Sequence, residues 1–348
     1  MKKIFTMTLL LLLCTTISVC NAQQLPKIAI LATGGTIAGS TDAGGTATTG
    51  YTAGVLTIDT LIKAVPEITK IAKISGEQIC NIDSSNMTDE IWLKLAKRIN
   101  TLLKSVDGIV ITHGTDTMEE TAYFLNLVIK SDKPVVLVGA MRPATAISAD
   151  GPKNLYNAVA LAGSKSAKGK GVMIAMDDTI LGARDGVKTN TLQTSTFKAL
   201  NSGPLGIIID GKPFFYSSAS RPHTINSEFD VSNLNTLPKV DILYTYSNDG
   251  SKVAAEAFLK AGAKGLVVAG SGAGSIHENQ KNYLLDIAKN KQAVIVRSSR
   301  VGSGYVPDAK DGILNADNLN PQKARVLLML ALTKTSDPKQ IQDMFNKY

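Results

Sequence analysis

From Lys27 onward, the chain alternates short, almost continuously apolar runs with longer amphipathic stretches. Runs of this kind are typical of parallel strands that are covered on both faces. Eight segments have this character: Lys27–Ala32, Gly108–Thr112, Pro134–Gly139, Gly171–Met176, Leu205–Ile209, Val240–Tyr246, Gly265–Ala269 and Ala293–Arg297. We predict a strand at each of them.

Apolar residues recur at helical spacing in the stretches between these strands. The helices predicted in this way are Asp89–Ser105, Glu119–Ile129, Asn154–Ala162, Val253–Ala261 and Gln280–Asn290. Strands that alternate with helices along the chain indicate parallel α/β layers. We therefore predict an α/β protein of two domains, a larger N-terminal one with a mostly parallel sheet and flanking helices, and a smaller C-terminal α/β domain.

The boundary between the two domains is predicted from a change in composition. Residues 213–237 are rich in Ser, Asn and Pro and show no sustained periodicity, which is typical of a linker. This places the N-terminal domain at residues 23–212 and the C-terminal domain at residues 238–348. A division is expected for a chain of this length, because single cores stop growing beyond roughly 250–300 residues.

The first 22 residues have the layout of a secretory signal peptide. Lys2 and Lys3 are followed by an apolar stretch and then by Cys20-Asn21-Ala22. We predict export to the periplasm with cleavage after Ala22. The alternative is a lipid anchor on Cys20, although Val19 is bulkier than the small residue usual before such a cysteine. The apolar stretch is shorter than the roughly 20 residues that span a bilayer, so no membrane segment is expected after cleavage.

Charge and cysteine content exclude several classes of function. The formal net charge of +8 falls to about +6 without the signal peptide, and the remaining basic residues are scattered. With few aromatic residues and no basic stripe, we expect no nucleic-acid partner. Cys80 is the one cysteine beyond the signal peptide, so no internal disulfide is expected. Its apolar neighbours favour a structural thiol over a nucleophile.

The candidate chemistry lies at the carboxyl ends of the predicted strands, where open parallel sheets bind ligands. The first strand leads into Thr33–Gly39 and the next predicted strand into Thr112–Thr117. Both loops carry hydroxyl groups together with glycines. Glycine lets the backbone approach a ligand closely and turn its N–H groups toward it. These two loops are therefore the predicted site.

Histidine chemistry and metal chemistry find little support in the sequence. Of His113, His223 and His277, His113 alone is near the predicted site. A structural histidine beneath the loop is as compatible with its position as a general base. No spacing of His, Cys, Asp or Glu resembles a zinc site, so we predict neither a metal nor a cofactor.

The remaining possibility is a hydroxyl nucleophile activated by a lysine or a tyrosine, since a threonine hydroxyl is weak on its own. Lys188 follows the fourth predicted strand and is one candidate. Tyr51 follows the segment Gly39–Gly50, whose Gly and Thr content is typical of a mobile lid. Each has a plainer interpretation. Lys188 would serve as a surface ion-pair partner, and Tyr51 would pack on the rim.

Two segments resemble the signatures of the bacterial L-asparaginases and glutaminase-asparaginases. They are Ala32–Ala38, which contains Thr33-Gly34-Gly35-Thr36, and Ile111–Glu120, which contains Thr112-His113-Gly114-Thr115-Asp116. The predicted signal peptide resembles the type II, periplasmic branch. The resemblance covers nearly the whole exported chain and includes these further segments: Pro134–Arg142, Ser148–Val159, Arg297–Arg300 and Leu319–Thr335.

The resemblance implies hydrolysis of L-asparagine to L-aspartate and ammonia, and also of L-glutamine, through a threonine acyl-enzyme. Thr36 would be the nucleophile, and Tyr51 would accept or relay its proton. Thr115, Asp116 and Lys188 would form a second polar cluster that activates either the nucleophile or the water.

The substrate is implied to be held through its α-amino and α-carboxylate groups by Ser84 and the Asp116 region. The backbone near Gly35 and Thr115 would stabilise the oxyanion. Family members assemble as tetramers, as a dimer of dimers whose subunits share sites, and Ser275 would reach a neighbour's site.

Three positions depart from the family pattern. Ser85 stands where Gln or Glu usually binds the substrate amine, and Ser275 stands where some members have Asn. The stretch Val301–Asp308 is short, so the acidic residue that one subunit lends to another has no clear counterpart. Asp308 is a guess for that role. The asparagine-to-glutamine preference is open for these reasons.

Two other classes of protein were weighed against an enzyme. A periplasmic solute-binding protein for small amino acids would share the α/β layers, but it needs no cluster of hydroxyl groups with a lysine. A nucleotide-binding protein would use Gly-rich loops such as Thr33–Gly39 and Gly270–Ser275. Neither loop gives the dinucleotide fingerprint followed directly by a helix.

Overall fold

The computed structural model describes residues 24–40 and 45–348. The predicted signal peptide, residues 1–22, lies outside these ranges, and so do residues 41–44 of the predicted lid. Within the described ranges, no helix combines the length and the apolarity that a membrane span requires.

Most strands of the N-terminal half belong to one eight-stranded sheet of order β10-β9-β6-β5-β4-β3-β1-β2. The strands are β1 (Lys27–Gly34), β2 (Lys73–Ile82), β3 (Gly108–Thr112), β4 (Val135–Val138), β5 (Val172–Met176), β6 (Thr179–Gly182), β7 (Val187–Lys188), β8 (Phe197–Lys198), β9 (Gly206–Ile209) and β10 (Lys212–Phe215). Strands β2, β1, β3, β4 and β5 are parallel neighbours, whereas β6, β9 and β10 extend the sheet in antiparallel fashion. β7 pairs with β8 in a separate hairpin.

Helices cover both faces of this sheet because successive strand residues point to opposite sides. They are α1 (Ile58–Ala64), α2 (Ile68–Ile71), α3 (Asp89–Leu102), α4 (Met118–Val128) and α5 (Gly151–Ala162). Ile109 and Ile111 share a core with α3 and α4, whereas Val110 shares one with α1, α2 and α5. Helix α3 begins where the Thr88 hydroxyl accepts a hydrogen bond from the Ile91 N–H at 3.3 Å.

The C-terminal half has its own parallel sheet, of order β11-β12-β13-β14. Its elements are β11 (Val240–Tyr244), α6 (Lys252–Lys260), β12 (Gly265–Gly270), α7 (Glu278–Lys289), β13 (Val294–Ser299), β14 (Leu314–Asn315), α8 (Pro321–Leu332) and α9 (Pro338–Lys347). Helices α6 and α7 cover one face, and residues of α8 and α9 share a core with α3 and α4. One hydrophobic core therefore runs from the first half of the protein into the second.

The predicted fold class is confirmed by this architecture. Each of the eight predicted strands and five predicted helices has a counterpart, and Gly108–Thr112 matches to the residue. Strand β2 was missed because half of its residues are exposed at the sheet edge and it lacks a sustained apolar pattern. Helices α8 and α9 were also not predicted, although the segment Leu319–Thr335 resembles the bacterial L-asparaginases.

Strand β10 overlaps the start of the predicted linker, residues 213–237. Strand β10 runs through Phe215 and pairs antiparallel with β9, so the first linker residues belong to the large sheet. Further along, Phe229 and Val231 are buried in the shared core. A four-residue edge strand and isolated core anchors are too short to produce a readable period, which is why the sequence pattern resembled a linker.

A buried lysine joins the two halves of the protein. Lys323 lies in α8, and its ammonium donates hydrogen bonds to the carbonyl oxygens of Arg184 at 2.8 Å and Gly186 at 2.7 Å. Burial lowers the pKa of Lys323 to about 8. The Arg184 guanidinium also reaches Asn318 at 2.7 Å and Asp317 at 3.2 Å. The turn that leads into β7 is thereby fixed against α8.

Replacing Lys323 tests this connection. A Lys323→Met variant keeps the chain volume but leaves two buried carbonyl groups without their donor, so we expect a loss of about 1–3 kcal/mol in the free energy of unfolding. Urea unfolding followed by circular dichroism measures the change. An unfolding midpoint equal to that of the parent protein would show that the buried ammonium makes no net contribution.

Candidate active site

The loops after β1 and β3 touch through their backbones. Gly35 has φ of 81°, and a Cβ at this position would lie 2.3 Å from the Gly114 nitrogen, which no side chain permits. The pair of glycines therefore allows the two loops to meet. Thr36 and Thr115 each follow one of these glycines, and both are almost completely buried. The contact places the two threonines just beyond the carboxyl ends of the neighbouring strands β1 and β3.

Thr36 has a tyrosine partner. Its Oγ1 lies 2.5 Å from the Tyr51 hydroxyl oxygen, and either group is able to donate. The backbone beyond Tyr51 is fastened by the Gly54 N–H, which donates to the Gly35 carbonyl oxygen at 3.1 Å, and by a bridge between Ser40 and Thr52. The sequence placed Tyr51 on a lid segment, and the structure brings it directly onto Thr36.

The second predicted cluster is also brought together. The Lys188 ammonium, from β7, donates to Thr115 Oγ1 at 2.9 Å and to Asp116 Oδ1 at 2.5 Å. The Lys188 side chain is 17% exposed and that of Asp116 is 62% exposed. The pair therefore lies at the boundary between protein and solvent. Lys188 is on the buried side of this boundary, whereas the Asp116 carboxylate remains accessible to solvent.

Ser84 lies beneath the second loop. It is buried, and its Oγ would sit 2.6 Å from a Cβ built on Gly114. Its carbonyl oxygen accepts a hydrogen bond from Thr117 Oγ1 at 2.7 Å. Ser84 thus contacts the loop that carries Thr115 and Asp116. These contacts unite Thr36, Tyr51, Ser84 and the Thr115 cluster in one place.

Asp83 is an acidic neighbour of the site that the sequence reasoning missed. Its Oδ1 accepts hydrogen bonds from the Ser85 hydroxyl at 2.7 Å and the Ser85 N–H at 2.8 Å. These bonds hold the pKa of Asp83 below its usual range, with a smaller contribution from the Lys188 charge. Ser85, where the family pattern has a longer polar residue, is thus engaged by the preceding carboxylate.

Glu119 is the second residue that was missed. Its carboxylate is buried in the first turn of α4 and accepts from the Lys188 backbone N–H at 2.9 Å. Its other oxygen accepts from the Asn320 side-chain amide at 2.8 Å. The motif that resembles the family includes Glu119, but a partner 69 positions away in the chain leaves no local signal.

His113 has a structural environment. It is fully buried, Nδ1 donates to the Gly114 carbonyl oxygen at 2.7 Å, and Nε2 accepts from Thr121 Oγ1 at 2.9 Å. Trp92 Nε1 in turn donates to Thr121 Oγ1 at 2.8 Å. Burial lowers the pKa of His113 to about 4, so the ring is neutral near pH 7. Both ring nitrogens are occupied, Nδ1 by the Gly114 carbonyl oxygen and Nε2 by the Thr121 hydroxyl, which favours the structural interpretation over a general base.

The other groups considered from sequence also have local partners. Cys80 is half-buried, its thiol lies 3.4 Å from the Thr33 carbonyl oxygen, and burial raises its pKa. His277 caps α7 by accepting from the Asn279 N–H at 3.2 Å. In residues 24–40 and 45–348, no three His, Cys, Asp or Glu side chains converge as metal ligands would.

Ser275 and Asp308 are not brought to this cluster within one chain. Ser275 is exposed in the turn after β12 and pairs through its backbone with Ser271. Asp308 is exposed, and its Oδ1 accepts from the Lys310 N–H at 2.8 Å. Across the described ranges, no hydrogen bond links either residue to Thr36, Tyr51 or the Lys188 cluster. Their predicted roles depend on a second copy of the chain.

The fold and the site together define a two-domain α/β protein with buried threonine hydroxyl groups at the carboxyl edge of its larger sheet. The family described as "Asparaginase, N-terminal" matches residues 27–221, and the one described as "Glutaminase/Asparaginase C-terminal domain" matches residues 239–345. The chain belongs to the asparaginase family.

Individual relatives agree with this assignment. A probable periplasmic L-asparaginase of Haemophilus influenzae is 54% identical, over 95% of this chain and 96% of its own length. A glutaminase-asparaginase of Acinetobacter glutaminasificans is 50% identical, over 92% of this chain and 99% of its own. The crystal structure of a probable cytoplasmic L-asparaginase from Campylobacter jejuni is similar with a TM-score of 0.91 at 65% identity, covering 93% of this chain and 100% of that one.

The buried His113 predicts a pH dependence of stability. Between pH 6.5 and about 4, the unfolded chain binds a proton at this ring and the folded chain does not. The contribution of His113 to the free energy of unfolding therefore falls on acidification. Glu120 acts oppositely, because burial raises its pKa to about 7. The informative quantity is therefore the difference in the free energy of unfolding between the parent protein and His113→Gln, because Glu120 is present in both.

We expect the difference in the free energy of unfolding, parent minus His113→Gln, to shrink by about 2 kcal/mol between roughly pH 7 and roughly pH 5. Urea unfolding of both proteins at the two pH values measures it. A difference in stability that does not vary with pH would mean that His113 binds protons equally in the folded and unfolded chains, so that burial does not lower its pKa.

Proposed function

We propose that this chain hydrolyses L-asparagine to L-aspartate and ammonia, and L-glutamine to L-glutamate and ammonia, with Thr36 as the nucleophile. The observation that carries the proposal is the 2.5 Å contact between Thr36 Oγ1 and the Tyr51 hydroxyl at the strand edge. A buried threonine with its own proton partner is what an acyl-transfer site needs. The names of the relatives as L-asparaginases and glutaminase-asparaginases support the choice of substrates.

In the first half of the reaction, Thr36 Oγ1 forms a bond to the side-chain amide carbon. Its proton passes to the Tyr51 oxygen while Tyr51 gives up its own phenolic proton to the amide nitrogen. The carbonyl oxygen becomes an oxyanion that accepts hydrogen bonds from backbone N–H groups. Those of Thr36 and Thr115 suit this role because neither has an acceptor among the described residues. Collapse of the intermediate breaks the C–N bond, and the nitrogen, which now carries the relayed proton, leaves as ammonia.

In the second half, water attacks the ester on Thr36. The ester C–O bond breaks, a proton from the water reaches Thr36 Oγ1, and the carboxylic acid is released. We assign Thr115, Lys188 and Asp116 to a cluster that activates either this water or the nucleophile, with the Asp116 carboxylate as the transient proton acceptor because the Lys188 ammonium only donates. The ammonium of Lys188 bridges Thr115 and Asp116, so it orients the Thr115 hydroxyl toward the site. The exposed carboxylate of Asp116 offers an acceptor for the substrate's α-ammonium group.

Substrate selection completes the proposal. We assign Ser84 and the Asp116 region to the α-groups of the amino acid, and Ser275 to the site of a neighbouring copy in a tetramer of shared sites. The exposed position of Ser275 on the C-terminal domain is compatible with such a contribution. We further propose domains at residues 23–212 and 238–348 joined by residues 213–237, of which 213–215 complete strand β10 of the larger sheet.

Export to the periplasm is part of the proposal. It is supported by the signal-like pattern of residues 1–22 and by the word periplasmic in the name of the Haemophilus influenzae relative. The Campylobacter jejuni structure is described as that of a probable cytoplasmic protein, so the location needs its own test. Cell fractionation with detection of the processed N-terminus provides that test.

Removal of the Thr36 hydroxyl tests the function directly. We expect Thr36→Ala to lose about 1,000-fold or more in ammonia release from asparagine, because no nucleophile remains. Thr36→Ser, which keeps a hydroxyl at the same place, should retain measurable turnover. Substantial activity in the alanine variant would exclude Thr36, and saturable binding without turnover by the parent protein would favour a solute-binding protein.

Removal of the Tyr51 hydroxyl tests the partner of the nucleophile. We expect Tyr51→Phe to lower kcat by about 100-fold, the usual scale for a positioned proton acceptor, with a smaller effect on KM. Tyr216→Phe serves as the control, because Tyr216 is exposed on the surface. Parent-like kinetics in Tyr51→Phe would contradict the proposed proton transfer.

A further inference from the structure

Glu119 connects the Lys188 cluster to the C-terminal half of the protein. Its side chain is buried, and each of its two carboxylate oxygens accepts one hydrogen bond. One donor is the backbone N–H of Lys188, and the other is the side-chain amide of Asn320 at the start of α8. A carboxylate accepts at both oxygens, so it satisfies two donors that converge from different parts of the chain.

The Asn320 amide has a fixed orientation. Its nitrogen donates to Glu119, while its oxygen accepts from the Lys323 N–H at 3.0 Å and so caps α8. Rotating the amide by half a turn would remove the cap and direct an oxygen at the carboxylate. Asn320 is therefore able to present only a donor to Glu119.

The segment that carries Lys188 is held from both directions. Lys323 binds the carbonyl oxygens of Arg184 and Gly186, which precede Lys188 in the chain. Glu119 binds the backbone N–H of Lys188 itself. With its backbone at this position, the Lys188 ammonium reaches both Thr115 and Asp116.

We propose that Glu119 is a positioning residue for the reaction, which fixes the backbone of Lys188 so that its ammonium bridges Thr115 and Asp116. The proposal rests on the function assigned above. It also predicts that the C-terminal half controls the catalytic geometry through Asn320, although that residue touches neither the nucleophile nor its tyrosine partner among the described contacts.

A Glu119→Gln substitution is the sharpest perturbation. The introduced amide has one acceptor and one donor, but it faces two donors, so one of the two contacts must fail. If the contact to Lys188 fails, its N–H is left unpaired and the segment shifts. Displacements of about 1 Å in a catalytic group cost up to about 100-fold in rate. We expect kcat on asparagine to fall by about 10- to 100-fold, with a smaller change in KM.

The matched control is Glu120→Gln, the same substitution one position along the same helical turn. In the described part of the chain, Glu120 has no hydrogen bond to residues 184–188. Because burial raises the pKa of Glu120 to about 7, a neutral side chain is already accommodated there. We expect its kcat and KM to remain close to those of the parent protein.

A second substitution, at Asn320, should restore the pairing of hydrogen-bond donors and acceptors around position 119. In Glu119→Gln with Asn320→Asp, the introduced amide donates to the introduced carboxylate and accepts from the Lys188 N–H. Asp is also a favourable cap for α8. Asn320→Asp alone places two carboxylates against each other and should lower kcat. We expect the double variant to be more active than either single variant, a non-additivity that contact between the two sites produces.

The reactivity of Lys188 gives a measurement that does not depend on turnover. Its ammonium is largely buried and held by two hydrogen bonds, so acetylation by a small reagent should be slow. Mass spectrometry of peptides after timed labelling should show faster labelling of Lys188 in Glu119→Gln than in the parent protein, Glu120→Gln or the double variant.

The outcomes separate the two proposals. If the parent protein releases no ammonia, the proposed function fails, but the labelling of Lys188 still tests the positioning by Glu119. If the parent is active and Glu119→Gln keeps its kcat and its Lys188 labelling rate, the positioning role is overturned. A Glu119→Gln protein that loses stability while its kcat and labelling rate remain unchanged would also overturn the proposal, because Glu119 would then be structural only.

Discussion

The close approach of the backbones at Gly35 and Gly114 is the constraint on which the rest of the site depends. A methyl group at Gly35 would stand 2.3 Å from the Gly114 nitrogen, so the two loops meet only because Gly35 has no side chain, and a methyl group at Gly114 would stand 2.6 Å from Ser84 Oγ. The residues that follow, Thr36 and Thr115, are then neighbours at the carboxyl edge of a parallel sheet. Each receives its own partner, a tyrosine hydroxyl in one case and a lysine ammonium in the other.

Buried polar groups keep this contact in place from below and from the side. The chain of hydrogen bonds from Trp92 through Thr121 and His113 ends on the Gly114 carbonyl oxygen. The His113 ring stays neutral near pH 7 because burial lowers its pKa. From the side, Glu119 and Lys323 fix the turn that carries Lys188. The chemistry is therefore supported by both halves of the protein, although the candidate nucleophile lies in the first.

Much of this arrangement was predictable from the sequence because its signals are local. Continuous apolar runs such as Gly108–Thr112 predicted the parallel strands, and the strand ends predicted the loops that carry Thr36 and Thr115. The roles of individual residues came from the resemblance to a family, and the contacts of Tyr51 and Lys188 agree with those roles without testing them.

The rest was not predictable, because it depends on tertiary contacts or on a weak pattern. Glu119 meets Lys188 and Asn320 from distant parts of the chain, and a glutamate in the first turn of a helix is ordinarily explained by the helix dipole. Strand β2 lies at the sheet edge with half of its residues exposed and shows no sustained apolar run. The contribution of Ser275 involves a neighbouring copy, which one chain does not contain.

The central claim is that Thr36 forms the covalent bond to the substrate. Rapid acid quenching of the parent protein during turnover of asparagine, followed by peptide mass spectrometry, tests it most directly. The account predicts an added aspartyl group on the peptide that contains Thr36, with fragmentation placing it on that residue. An aspartyl group on Thr115 or on another residue, with Thr36 unmodified, would contradict it.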